Sequence, residues 1–324
     1  MSIQSKEHVT NLNSSEEKST INKIKFALQL SESEENQLNN SKASISSTDS
    51  SSSVNSNEQN YFDSIEYLQF EDNFKNYYVD SSKNNNGNYD NYISNALKLI
   101  SLIPQTLLKK IPEKIKNISN GINFDSIKNS NKKVLILDLD ETLIHSDIDR
   151  LLDQKKTKYD AVVKFDSNDE KNIELPILLR PGLFEFLDYA SEKFDLVVFT
   201  ASDKFYADAI IDYIEKDKKY FKMRLYRDQC IFIEPGLYIK DLNIFKPYKK
   251  MEDLIIVDNS LFSFANQLNN GILVTSFFDD KNDSFLYNVK EYLDMIKDVK
   301  DFRETNKENF QFETYKENMK KNSN

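Results

Sequence analysis

The sequence predicts an α/β domain, a parallel sheet covered by helices, behind a long polar N-terminal segment. Three observations predict it. Short continuous apolar runs at 134–137, 196–199, 254–257 and 272–275 have the length and composition of strands buried on both faces. Helix-period segments separate them, and strands alternating with helices build parallel sheets through right-handed crossovers. The composition then shifts sharply along the chain. About 25 of the first 60 residues are Ser or Asn, too polar to bury the surface that would offset their ordering entropy.

Taken in order, residues 1–95 read as a disordered Ser/Asn-rich tail. Within it, 61–80 are acidic and aromatic, either a docking motif or a sticky polar stretch. Residues 96–132 read as a basic amphipathic linker. Leu99, Ile100, Ile103, Leu107, Ile111, Ile115 and Ile118 recur there at near-helical spacing, beside Lys98, Lys109, Lys110, Lys114 and Lys116. Pro104 and Pro112 interrupt a single helix. Two readings of 95–118 stay open: a peripheral membrane or partner contact, or a helical pair packed on the domain.

Residues 133–300 read as one domain of ordinary size. Strands are expected at 134–137, 159–165, 177–179, 196–199, 254–257 and 272–275. Helices are expected at 183–193, behind Pro181 and Gly182, and at 204–214. A closing helix carries Phe285, Val289, Tyr292, Leu293 and Ile296. The intervals 146–175 and 221–242 read as small strand-rich insertions, and 301–324 as a polar C-terminal tail.

Scarce residues exclude whole chemistries. The net charge of -10 argues against direct nucleic-acid binding, which needs a basic face. The five glycines, Gly87, Gly121, Gly182, Gly236 and Gly271, match no phosphate-loop, dinucleotide or hydrolase-elbow spacing. With two histidines, His8 and His145, there is no His-rich metal site. The single cysteine, Cys230, forms no intrachain disulfide, and with Gly236 six residues on it is no cysteine-phosphatase nucleophile. It reads as a small buried side chain. No run reaches membrane-spanning length.

What remains is a set of polar groups at strand ends. The run 134–137 ends in Asp138, Asp140 and Thr142; 196–199 ends in Thr200 and Ser202; 254–257 ends in Asp258, Asn259 and Ser260. In an open parallel sheet, ligands bind beyond the carboxyl ends of the strands. If these three strands are neighbours, the groups share one crevice. Oxygen ligands with open positions suit Mg²⁺. A carboxylate attacks phosphorus only once the phosphate charge is neutralised, which Mg²⁺ and a lysine would do. Asp140 would hold the proton for the leaving oxygen. Ser146, Ser202 and Ser260 read as helix caps or turn formers, and His145 as structural.

The motifs Leu137-Asp-Leu-Asp-Glu-Thr-Leu-Ile-His-Ser146, Leu179-Arg-Pro-Gly182, Phe199-Thr-Ala-Ser202, Arg227-Asp-Gln-Cys230, Tyr238-Ile-Lys-Asp-Leu242 and Val257-Asp-Asn-Ser260 follow one another along the chain. On them, residues 133–300 resemble the small C-terminal-domain phosphatases, or NLI-interacting-factor-like phosphatases, of the haloacid dehalogenase superfamily. The resemblance implies a Rossmann-like core and a Mg²⁺-dependent protein serine/threonine phosphatase. It implies Asp138 as nucleophile and metal ligand. Asp140 would serve as acid, then base, and as a metal ligand through its backbone carbonyl. Asn259 is the third metal ligand, supported by Asp258. Thr200 would bind a phosphoryl oxygen, Lys240 balance charge, Thr142 fix the loop and Arg227 meet the substrate, with Arg180 structural.

Family members acting on the RNA polymerase II tail use an apolar pocket for a proline. Its wall corresponds here to Ile148, Asp203 and Tyr206, with Asp203 standing where an apolar residue is usual. The expected partner is a phosphoprotein substrate, the expected state a monomer. The resemblance places the protein in the nucleus, with the cytoplasm or the nuclear-envelope surface as alternatives. Two rival functions share the fold: a catalytically silent binding module and a phosphatase of small metabolites.

Overall fold

The computed structural model describes residues 89–103, 105–146, 159–167, 172–233 and 236–322. The tail expected over 1–88, Pro104 and Ile148 lie outside them. The described residues open with helices α1 (Tyr89–Leu102), α2 (Gln105–Ser119) and the single turn α3 (Asp125–Lys128). Strand β1 (Val134–Leu137) follows, then β2 (Ile144–His145), β3 (Ala161–Phe165), β4 (Ile173–Leu179) and helix α4 (Leu183–Lys193). Next come β5 (Asp195–Phe199), α5 (Lys204–Ile214), β6 (Phe221–Leu225), β7 (Ile231–Ile233) and β8 (Leu237–Ile239). The chain closes with β9 (Leu254–Asp258), β10 (Gly271–Leu273), α6 (Phe285–Ile296), α7 (Phe302–Phe310) and α8 (Phe312–Asn322).

Five strands form the main sheet in the order β10-β9-β1-β5-β6, with every neighbouring pair parallel. The central strands β1, β5 and β9 are buried at every residue, which is why they read as unbroken apolar runs. Successive side chains on a strand point to opposite faces, and the core divides accordingly. Val134, Ile136, Val197, Phe199 and Ile256 pack on one face with Leu97, Ile100 and Ile115 from α1 and α2. Leu135, Leu137, Val198 and Val257 pack on the other with α4, α5 and α6.

That division resolves the two readings of 95–118. The segment is a helical pair packed on the domain: Ala96, Leu97, Leu99, Ile100, Ile103, Ile111 and Ile115 are buried, while Lys109, Lys110, Lys114 and Lys116 face outward. The apolar stripe is spent on the sheet, which corrects the expectation of a linker offering that stripe to a membrane or partner. The physical reason is coverage, since the helices after β1 protect one face and the second needs a lid. The boundary at 95 also moves, because α1 begins at Tyr89.

Two further expectations change. Phe221–Leu225 belongs to the main sheet as its edge strand, not to an insertion. Its Lys222 and Arg224 hide it, as charges do on edges. The insertions proper are the antiparallel sheet β2-β4-β3 and the β7-β8 hairpin. The expected polar tail from 301 is helical, with Phe302 and Phe312 buried and Asp301 capping α7 by accepting from the Arg303 backbone N–H.

Candidate active site

Strands β9, β1 and β5 are adjacent, so their carboxyl ends meet. Asp138 follows β1 directly, and its N–H donates to the Val257 carbonyl at 3.0 Å, extending the ladder by one rung. The chain then turns sharply. Glu141 takes a left-handed conformation, φ 55°, uncommon for a residue with a side chain. Its N–H donates to the Ile144 carbonyl, and its own carbonyl accepts from the Phe277 N–H, both at 2.8 Å.

Arg180 locks this loop from below. Its guanidinium is fully buried, forks onto Asp283 at 2.9 and 2.7 Å, and donates to the carbonyls of Thr142 at 3.1 Å and Thr275 at 2.9 Å. A planar five-donor fork is suited to tying several acceptors at once. The structural role expected of Arg180 is thus a clamp on the Asp138–Thr142 loop.

The Asp138 carboxylate is braced on both oxygens. Lys240 Nζ donates to Oδ1 at 2.5 Å, and the Thr142 hydroxyl donates to Oδ2 at 2.9 Å. Lys240 also donates to Asp258 Oδ2 at 2.7 Å. Lys240 and Asp258 are each 1% exposed, and Asp138 is 5% exposed. Burial works against the Lys240 ammonium, but Asp138 and Asp258 outweigh it and hold it above the ordinary lysine range. Burial, and then the charge of Asp138, push the Asp258 carboxyl up to about 7. Thr142 Oγ1 also lies 3.4 Å from Asn259 Oδ1 and accepts from the Asn259 N–H at 3.2 Å.

Asp140 occupies a second pocket of hydroxyls. Ser202 Oγ donates to its Oδ2 at 2.7 Å, Thr200 Oγ1 lies 3.4 Å from the same oxygen, and the Tyr206 hydroxyl donates to Oδ1. Tyr206 is itself 2.7 Å from Ser146 Oγ. Burial, then the charges of Glu141 and Asp138, push the Asp140 carboxyl up to about 7, against the pull of the Tyr206 and Ser202 hydrogen bonds. Burial also lifts the Tyr206 phenol well above its usual range, so it stays a neutral donor.

Asp138, Asp140, Thr142, Thr200, Lys240, Asp258 and Asn259 therefore converge. Arg227 lies at their edge, donating to the Ala201 carbonyl at 2.7 Å and to Asp203 at 3.1 Å. Tyr206 is a hydrogen-bonding residue only 5% exposed, which leaves little ring to wall a substrate pocket. His145 Nδ1 lies 3.1 Å from Glu141 Oε1, in keeping with a structural role. Burial pushes the Cys230 thiol up to about 12, so it offers no thiolate. Ser146 and Ser202, which the sequence presents as cap or turn residues, place their hydroxyls in the site. One signal was available: Ser202 follows Thr200 at the same two-residue offset by which Asp140 follows Asp138.

The donor set fits a hard divalent cation. Two buried carboxylates, Asp138 and Asp258, face the single ammonium of Lys240, and the part-buried Asp140 carboxyl stands close enough to feel the Asp138 charge, an excess of acidic groups that a cation would balance. Among the described residues no three His, Cys, Asp or Glu side chains form a ready ligand group. Mg²⁺ takes few protein ligands and keeps positions for water and phosphate, and the Asp138 carboxylate, the Asp140 backbone carbonyl and the Asn259 amide oxygen are donors of the hard kind it uses.

Comparison with known proteins agrees with this geometry. Residues 133–303 match the family model described as NLI interacting factor-like phosphatase. CTD small phosphatase-like protein 2 of Dictyostelium discoideum is 36% identical over 174 residues, 54% of this chain and 29% of that protein. CTD nuclear envelope phosphatase 1B of Danio rerio is 34% identical over 185 residues, 56% of this chain and 74% of that one. Nuclear envelope morphology protein 1 of Schizosaccharomyces pombe is 36% identical over 173 residues, 53% of this chain and 35% of that protein. The chain thus spans about a third of two of these relatives and about three quarters of the other. By the matched domain and by the strand-end residues that it carries, the chain belongs to the NLI interacting factor-like phosphatase family.

Proposed function

We propose that this chain is a Mg²⁺-dependent protein serine/threonine phosphatase working through an aspartyl-phosphate on Asp138. The observation that carries the reading is the Asp138 carboxylate at the end of β1, braced by Lys240 on one oxygen and Thr142 on the other. A nucleophile held in one rotamer has lost little further freedom when it reacts. Asp138, the backbone carbonyl of Asp140 and Asn259 would hold Mg²⁺, with Asp258 supporting. When bound, the metal supplies the positive charge that lets a carboxylate approach a phosphate.

The reaction then has two halves. An Asp138 oxygen bonds to phosphorus as the bond from phosphorus to the serine or threonine oxygen breaks, and the Asp140 carboxyl proton passes to that leaving oxygen. Asp140, now a carboxylate, takes a proton from a water whose oxygen attacks phosphorus. The acyl-phosphate bond breaks, Asp138 returns as carboxylate and inorganic phosphate leaves. A carboxyl held near 7 serves in both directions. Lys240 answers the phosphate charge, Thr200 takes a phosphoryl oxygen and Arg227 meets the substrate at the rim.

The substrate class is a phosphoprotein, and the RNA polymerase II C-terminal domain is one candidate by family likeness. Asp203, paired with Arg227, puts a charge where a proline pocket would be apolar, which favours sites without a following proline. The relatives' names point to the nucleus or its envelope. Among the described residues no helix is long and apolar enough to cross a membrane. The test is hydrolysis of p-nitrophenyl phosphate and a phosphopeptide panel, expected to stop with EDTA and with Asp138→Asn. Turnover retained by Asp138→Asn would sink the mechanism.

A further inference from the structure

We infer that Tyr206 and Ser202 are positioning residues for Asp140, holding its carboxyl group where it meets the leaving oxygen. The inference rests on the acid role proposed for Asp140. Three features of the geometry carry it. Both oxygens of the Asp140 carboxyl group have a hydroxyl partner, Tyr206 on Oδ1 and Ser202 on Oδ2. Two-sided contact fixes both the rotamer and the tilt of the carboxyl plane, which a single bond leaves free. Secondly, the two donors come from one rigid unit. Ser202 stands two residues before α5 and Tyr206 lies in its first turn, with its ring edge-on to Phe165 at 6.3 Å. Ser202 is further tied by its N–H to Thr200 Oγ1 at 3.0 Å and by its carbonyl to the Arg227 N–H at 3.1 Å.

Thirdly, the partner beyond Tyr206 is also a hydroxyl. The Tyr206 oxygen lies 2.7 Å from Ser146 Oγ, and either can donate. Toward an Asp140 carboxylate, Tyr206 donates its hydrogen. Toward an Asp140 carboxyl whose proton points at the leaving oxygen, Tyr206 still donates, to a remaining lone pair of Oδ1. The Asp140–Tyr206–Ser146 chain therefore keeps its hydrogen bonds in both states that an acid and then a base passes through.

The test separates positioning from packing by the leaving group. p-Nitrophenyl phosphate leaves as a stable anion and needs no proton, whereas a phosphoserine peptide leaves as an alkoxide and needs one. Tyr206→Phe keeps the ring, and Ser202→Ala keeps the turn. In the full chain with Mg²⁺, each is expected to lower kcat/KM, which reports departure of the leaving group and not the shared hydrolysis of the aspartyl-phosphate, by about tenfold or more on the phosphopeptide and by about twofold or less on p-nitrophenyl phosphate. Asp140→Asn is the reference and should show the same asymmetry, larger. Equal losses on both substrates, or no loss on either, in Tyr206→Phe and Ser202→Ala while Asp140→Asn is asymmetric would overturn the positioning role and leave the acid role standing. A symmetric loss in Asp140→Asn would overturn both.

Discussion

Replacing Lys240 by methionine tests the charge balance of the site directly. Lys240 Nζ stands 2.5 Å from Asp138 Oδ1 and 2.7 Å from Asp258 Oδ2, and the residue is 1% exposed. Methionine keeps most of the length and the apolar stem and removes the cation, leaving two buried carboxylates facing one another. Breaking a buried ion pair by removing one partner costs about 3–5 kcal/mol. In a domain of this size each kcal/mol lowers Tm by about 2–4 °C, so a fall of roughly 10 °C is expected. The effect has a pH signature. Burial and the Asp138 charge already raise Asp258 from 3.8 to about 7. A carboxyl with a raised folded pKa binds more protons folded than unfolded, so stability falls as pH climbs from 3.8 toward 7. Without Lys240 that fall deepens, because the Ser260 N–H then opposes the second charge without the help of a cation. Thermal unfolding in EDTA should therefore show a small deficit at about pH 5 and the full deficit at about pH 8. Adding Asp258→Asn should recover much of the loss, since one carboxylate becomes neutral. A Lys240→Met protein that melts with the wild type at about pH 8, or that loses more at about pH 5, would refute the reasoning.

Two predictions concern the scaffold. A Cβ at Gly271 would lie 2.1 Å from the ring of the fully buried Phe264, so Gly271→Ala should overpack the core by about 1–3 kcal/mol, read as a lowered melting midpoint; an unchanged midpoint contradicts this. A fragment cut to the matched residues 133–303 loses α1, α2, α3, α8 and all but the first two residues of α7, and uncovers Val134, Ile136, Val197 and Ile256. It should bind a hydrophobic dye and aggregate where the full chain does not, and a monomeric, cooperatively melting fragment would disprove the coverage argument.

The central sheet was legible because its strands are buried on both faces and so read as continuous apolar runs. The site was legible because its residues stand directly after those runs, where the chain has little freedom to place them elsewhere. Edge strand β6 was not, since Lys222 and Arg224 alternate with its apolar residues and mask it. Helices α7 and α8 were hidden by a polar composition in which Phe302, Phe310 and Phe312 are among the few large apolar residues. The packing of α1 and α2 was half legible: periodicity gave the stripe, but not which surface it would meet. Tyr206 was singled out for its ring, whereas its hydroxyl makes the contact with Asp140. Sequence gives a residue's type and place, and the choice between two ends of one side chain is made by its neighbours.

Helix α8 lies against α1, and Phe312 joins the core that Leu97 and Ile100 build. The two helices stand at opposite ends of the described chain, so this contact closes a loop that encloses the entire sheet. Contacts between such distant segments draw on loop-closure entropy and form after the local and strand-pair contacts. An interaction made after the transition state leaves the folding rate nearly alone and slows unfolding. The clasp thus acts on lifetime: it sets how long the assembled fold persists once formed, more than how quickly it forms.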